Sequence, residues 1–289
     1  MVGRILVCLL LVAGISNAQE KSVLYKVSGN GLEKPSYIMG IINFFPADKF
    51  NIPAEVENAI ESCEVLTTKV EMDTKTQKKF NEAVRIPNDG WINDYLTDDE
   101  LNQLRLLLLL DMEVKEHAYH DFYSRLQPII LVPVTSALNL GDNIVYTEQK
   151  LHEIAKKNKL KTEGLGTIQE EIEAFQKFPI EDQVEALKYT VNHFEDHIKG
   201  YDDMVDAYIK NQNLEIVKNE TLKAINNSDT FRKVYYDSRA LVWLPKIEEL
   251  MKTKPTFFAL GAPYLIGQVS LLELLKTKGY DVTPVKVSF

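Results

Sequence analysis

Two hydrophobic periods alternate along this chain. SVLYKVSG (22–29) and SYIMGIINF (36–44) are short apolar runs separated by the turn-forming GNGLEKP (29–35), a pattern that predicts two strands joined by a tight connection. Pro53 then opens the helical AEVENAIESC (54–63), and the β-rich VLTTKVEM (65–72) follows as a third strand, so the chain begins as a ββαβ unit.

From Thr74 to Lys246 the pattern becomes helical. TDDELNQLRLLLLL (97–110), TEQKLHEIAKKN (147–158), IEDQVEALKYTVNHFEDHI (180–198) and YDDMVDAYIKNQNLEIVKN (201–219) are amphipathic segments with polar connectors. Thr97 with Glu100, and Thr147 with Glu148, are expected to cap helix starts. The paired acids Asp98-Asp99, Glu170-Glu171 and Asp202-Asp203 are expected at helix starts too, where negative charge suits the helix dipole. Leu106 to Leu110, bounded by Arg105 and Asp111, is far too short for a membrane span and is expected as a buried helix face.

The C-terminal stretch returns to alternation: helix LVWLPKIEELMKT (241–253), strand PTFFALGA (255–262), helix SLLELLKTKG (270–279) and strand DVTPVKVSF (281–289). The expected fold is α/β (α+β), with a central mixed sheet from the N- and C-terminal thirds and a large helical insertion between them. Its divisions are a signal segment over 1–18 and one domain over 19–289, comprising an N-terminal half at 19–73, the helical insert at 74–240 and a C-terminal half at 241–289. In both outer thirds a strand ends in glycine with a polar residue three positions on, Gly40 to Asn43 and Gly261 to Tyr264, and strand ends are where α/β sheets gather ligands.

The first eighteen residues change the picture of where the protein works. Arg4, the apolar Ile5 to Val12, and a small polar stretch closing on Ala18 have the layout of a secretory signal, which implies export to a periplasmic or extracellular space and no membrane span after its removal. The remaining chain carries 32 basic and 42 acidic residues, a formal charge of −10, which disfavours nucleic acid as a partner. Cys63 is then the single cysteine, so no internal disulfide forms, and a buried apolar role is expected for it. The sequons at Asn219 and Asn226 matter only in a eukaryotic secretory route.

LYKVSGNGLEKPSYIMG, YYDSRALVWLPKIEEL and FFALGAPYLIGQVSLLELLKTKGYDVTPV resemble the TraB/GumN family, relatives of the Tiki metalloproteases, over nearly the whole exported chain. The resemblance implies two Gly-x-x-His motifs at strand ends, a strand glutamate, the glutamate of a Gly-Leu-Glu-Thr motif, an arginine, and a divalent metal used for hydrolysis. This chain has Asn43 and Tyr264 at the histidine positions, Lys69 at the strand glutamate unless the register shifts to Glu71, and Gly166 in Gly164-Leu165-Gly166-Thr167; Arg239 is kept. Asn43 and a protonated tyrosine are poor substitutes for imidazole, and an ammonium has only donors. The expectation is therefore a catalytically inactive protein without a metal or other cofactor. Its inherited cleft, with Lys69, Arg239, Asn43 and Tyr264 as ligand-binding residues, binds a peptide, protein segment or anionic ligand. The rivals are a working metal-dependent peptidase drawing ligands from Glu71, Asp73 or the helix histidines, and a structural envelope protein. His193 and His197, four apart, and His117 and His120, three apart, are each spaced to share a helix face; His152 stands alone. No Gly-x-Ser-x-Gly, Walker or dinucleotide-binding motif is present.

Overall fold

The computed structural model describes residues 21–71, 73–225 and 229–289. The expected signal segment and the Asn226 sequon lie outside the described residues.

Among the described residues eight strands form in chain order: β1 (Leu24–Ser28), β2 (Ser36–Ile41), β3 (Phe44–Pro46), β4 (Val65–Val70), β5 (Ile144–Tyr146), β6 (Lys161–Gly166), β7 (Thr256–Gly261) and β8 (Asp281–Val285). Six of them make one mixed sheet in the order β6-β4-β7-β2-β1-β8. The run β6, β4, β7, β2 is parallel, while β1 is antiparallel to both β2 and β8. β3 and β5 form a separate antiparallel ribbon. The α/β class and the mixed sheet are as the alternating patterns predict.

The middle part departs from the expected helical insert, because β5 and β6 lie within it and β6 takes the sheet edge beside β4. The sequence KTEGLG disguises this strand: two glycines and three polar residues leave Leu165 as its single fully buried side chain. Gly164 is dictated by packing, since a Cβ there would come within 2.6 Å of the Glu71 backbone nitrogen and 3.0 Å of Val70 Cα.

The turn after β1 turns back through three consecutive positive φ values, at Gly29, Asn30 and Gly31, conformations that glycine and asparagine tolerate. β1 then lies between β2 and the last strand, Leu24 facing Val285, and Ser22 Oγ donates to the Val285 carbonyl at 2.6 Å. The main core spans both sheet faces, with Phe257, Phe258, Ile38, Met39, Leu24 and Leu66 almost inaccessible. The helical insert has its own smaller core around Leu104, Leu108, Tyr119, Leu126 and Leu187.

Two tyrosines of the helix Phe194–Asn211 tie the insert to the sheet: Tyr208 donates to the Gly40 carbonyl at 2.8 Å and Tyr201 to the Phe44 carbonyl at 2.9 Å. Gly40 also leaves room for the next helix, as a Cβ there would strike Leu214 Cδ1 at 2.7 Å.

Several local expectations are corrected. Thr97 and Glu100 form the capping box, but Thr147 spends its hydroxyl on the Ile42 carbonyl, leaving its helix without a side-chain cap. In the leucine run a π-helical turn at Leu107–Asp111 breaks the periodicity, so Leu107 and Leu108 are buried while Leu106 and Leu110 are exposed. Asp202 and Asp203 lie well inside the helix Phe194–Asn211. No helix among the described residues is long and apolar enough to cross a membrane.

Candidate functional site

The four parallel strands release their C-terminal ends on one side of the sheet, the side on which open α/β sheets bind ligands. Asn43 follows β2, Lys69 is the penultimate residue of β4, Gly166 ends β6, and Tyr264 lies three residues past β7. Arg239 comes from the start of the helix Ser238–Thr253.

Two of these five, Lys69 and Arg239, converge on a residue absent from the expected set, Glu171, and a third, Tyr264, joins through Arg239. Lys69 Nζ lies 3.1 Å from Glu171 Oε1, and Arg239 Nη2 lies 2.5 Å from Oε2. The Tyr235 hydroxyl donates to Oε1, and Arg239 Nη1 donates to the Tyr264 hydroxyl at 3.5 Å. The guanidinium also lies 4.5 Å from the Trp243 ring centroid and 5.0 Å from that of Tyr235. Tyr264 fills the space between, its ring 4.8 Å from Trp243 and 5.0 Å from Tyr236.

The helix Ile168–Gln176 delivers Glu171. Thr167 caps it, and Glu170 completes the capping box by accepting from the Thr167 backbone N–H, which leaves Glu171 free to turn inward. Tyr235 and Tyr236 sit in the π-helical turn Arg232–Asp237 that leads directly into the helix bearing Arg239 and Trp243. Wide turns of this kind recur at functional sites.

Access is one-sided. The Lys69 side chain is 38% exposed, against 9% for Arg239 and 3% for Glu171. Lys69, Tyr235 and Tyr236 are half-buried and form the accessible side of the cluster, with half-buried Glu148 within electrostatic reach of Lys69, while Arg239, Glu171, Tyr264 and Trp243 are buried and form its floor.

The electrostatics follow from this arrangement. Burial pushes the Glu171 carboxyl up, but the charges of Lys69 and Arg239, with the close Arg239 contact and the hydrogen bond from Tyr235, outweigh it and hold the group at about 2. Burial works against the Lys69 ammonium, yet Tyr235, Glu171, Tyr264 and Glu148 around it raise its pKa well above the ordinary lysine value. The Glu148 carboxyl is pushed up, chiefly by burial, with Lys69 opposing and Glu171 adding. Tyr235 rises to about 12, again through burial first, and is a neutral donor at physiological pH.

The other expected residues lie apart from this cluster. Asn43 is exposed; its carbonyl accepts from the Thr147 N–H at 3.0 Å, and its side chain makes no hydrogen bond among the described residues. Gly166 borders the cluster, with Glu170 Oε2 and Trp243 Nε1 standing 3.1 and 3.5 Å from where its Cβ would be. Glu71 is exposed and accepts from Thr162 Oγ1 at 2.9 Å, while Asp73 caps the next helix through the Thr76 N–H.

The histidine pairs do not act as pairs. The helix expected through 180–198 breaks at His193, whose Nδ1 lies 3.0 Å from the Tyr189 carbonyl, while His197 Nε2 meets Ser136 Oγ at 2.7 Å. His120 pairs with Asp121 and packs on Trp91, and His117 is exposed. His152, unremarkable in the sequence, is half-buried on the same helix as Glu148 and feels the charge of Glu71.

The residues present do not fit the divalent metal that the family resemblance implies. Among the described residues no three His, Cys, Asp or Glu side chains converge as metal ligands. A divalent ion about 4 Å from the Lys69 ammonium would meet roughly 8 kcal/mol of repulsion at an effective dielectric of ~20, and the nearby carboxylate of Glu171 is already committed to two cations.

The whole arrangement falls inside a recognised sequence unit. The profile of the TraB/PrgY/gumN family matches residues 23–284, from just before β1 into β8. The chain belongs to the TraB/PrgY/gumN family. No curated protein and no solved structure gives a significant match. The TraB/PrgY/gumN unit therefore takes in all of the sheet but the last residue of β8, the helical insert and every residue of the Glu171 cluster.

Glu171, Glu148 and Tyr235 are the residues that reading the sequence missed. A signal for Glu171 existed: Thr167 and Glu170 alone satisfy the capping box, so its neighbour was not needed as a cap.

Proposed function

We propose that this TraB/PrgY/gumN protein is an exported, non-hydrolytic member of its family whose cleft at the strand ends binds a peptide or polypeptide segment. The observation that carries the reading is the ion-paired Lys69–Glu171–Arg239 cluster, in which the Lys69 ammonium stands where the resemblance implies a metal-holding glutamate and Glu171 is taken up by Lys69 and the kept Arg239. Half-buried tyrosines beside one basic and one acidic side chain offer apolar faces and hydrogen-bonding groups together, a mixture suited to a peptide chain.

The test is metal analysis and a peptide-cleavage assay on protein purified without chelator. The expected result is no stoichiometric metal and no cleavage. Close to one equivalent of manganese, cobalt or zinc, whose removal abolished cleavage, would overturn the reading. As a positive control, Asn43→His, Lys69→Glu, Gly166→Glu and Tyr264→His combined should restore metal affinity.

A further inference from the structure

The cluster has more donors than its one carboxylate uses. Lys69 has three N–H groups and makes one hydrogen bond among the described residues, to Glu171. Arg239 Nη2, though 2.5 Å from Glu171 Oε2, makes no aligned hydrogen bond, and neither does that oxygen. Two positive charges thus contact one carboxylate, with Glu148 within electrostatic reach of Lys69 and Glu170 within that of Arg239.

The donors come from separate elements: Lys69 from β4, Tyr235 from the π-helical turn and Arg239 from the following helix. A fourth element, the helix Ile168–Gln176, brings in the carboxylate. Ammonium, guanidinium and tyrosine O–H converging on one carboxylate form a general recognition set for that group, since charge-assisted hydrogen bonds are the strong ones. Its open side is the Lys69 and Tyr235 side, because both are half-buried while Arg239 is sealed behind them.

We infer that Lys69 and Tyr235 form a binding site for the carboxylate of a peptide ligand, and that Glu171 is the built-in competitor occupying it in the free protein. This rests on the reading that the cleft binds peptides, and names the group it grips. Arrival of the ligand carboxylate releases Lys69 from Glu171, whose other oxygen keeps Arg239, so neither cation is left unpaired. Ligand affinity is then set by the difference between two carboxylates competing for one ammonium.

The probes are N-acetyl-Ala-Ala with a free carboxylate and its C-terminal amide, titrated against full-length protein carrying Trp91→Phe, so that Trp243 on the cluster floor is the sole tryptophan reporter. Glu171→Ala should bind the acid at least tenfold more tightly than the parent and the amide no better than the parent. Adding Lys69→Ala should abolish the gain. Acetate, compared with chloride at equal ionic strength, should raise the melting temperature of Glu171→Ala and leave the parent unchanged. Glu171→Gln, which keeps the side-chain shape, serves if the alanine variant does not fold, and should show the same preference for acid over amide. Equal binding of acid and amide by all variants would overturn the carboxylate site while leaving peptide binding in place. No binding of either probe together with no effect of acetate would overturn the site outright, and the non-hydrolytic reading would still be judged by metal content and cleavage.

Discussion

Glu170 and Glu171 adjoin in sequence and do unrelated work: Glu170 turns back to the Thr167 backbone N–H, while Glu171 is buried against Lys69 and Arg239. Removing one partner of a buried ion pair strands the other charge and costs about 3–5 kcal/mol, whereas losing a capping interaction costs about 0.3–1.5 kcal/mol. Glu171→Ala should therefore lower the urea unfolding free energy several times more than Glu170→Ala. Equal losses would mean that the cluster contributes no more than a helix cap.

Acid should expose the same difference. The Glu171 carboxyl is held at about 2 in the fold against an ordinary 4.5, so the unfolded chain binds its proton first as pH falls. The contribution is present in full above about pH 4.5 and is lost as pH drops toward 2; the shift corresponds to about 3 kcal/mol. Unfolding midpoints measured from pH 7 down to pH 2.5 should fall more gently in Glu171→Gln than in the parent, with the gap between them closing at the acid end.

At the edge of the sheet, Gly164→Ala tests packing alone. Its φ is not positive, so strain of the left-handed region is not at issue, but the added methyl would meet backbone atoms of Glu71, Gly166 and Val70 at 2.6 to 3.0 Å. Overpacking against atoms that cannot rotate away costs about 1–3 kcal/mol. A thermal melt of Gly164→Ala should show a clear drop; an unchanged midpoint would mean that β6 is free to shift away from β4.

Cys63 should behave as a silent thiol. It is buried at the end of the first helix, and burial pushes its pKa up to about 12, with Ser62 opposing slightly. The thiolate is the reactive form, and at pH 8 only about one thiol in ten thousand would be ionised. In a chain carrying Cys8→Ser, labelling by a thiol reagent should follow the denaturant unfolding curve. Rapid labelling of the native protein would show that the core around β4 opens locally.

Strands with strong alternation or apolar runs, such as SYIMGI and TFFALG, were legible because burial on the sheet imposes that pattern directly. β6 was not, because its glycines answer to the close approach of β4 and leave little hydrophobic signal. Of the candidate site, the clustering of Lys69, Arg239 and Tyr264 was legible, because the family resemblance marks two positions at strand ends and one at a helix start. Glu171 was hidden by its place in a run of acids, where one residue's capping role masks its neighbour's. The histidine pair at 193 and 197 misled for a related reason: spacing predicts a shared face only along a continuous helix, and this one breaks at His193.

β1 lies between β2 and β8, with Ser22 bonded to Val285 across 263 positions. The first strand made must wait for the last one before its outer hydrogen bonds are filled. Until β8 docks, β1 offers a bare edge to any neighbouring chain, which makes arrival of the C-terminal strand the step that seals the sheet. A chain cut short just before Asp281 would keep both glycine-ended strands and leave this flank open to mispairing.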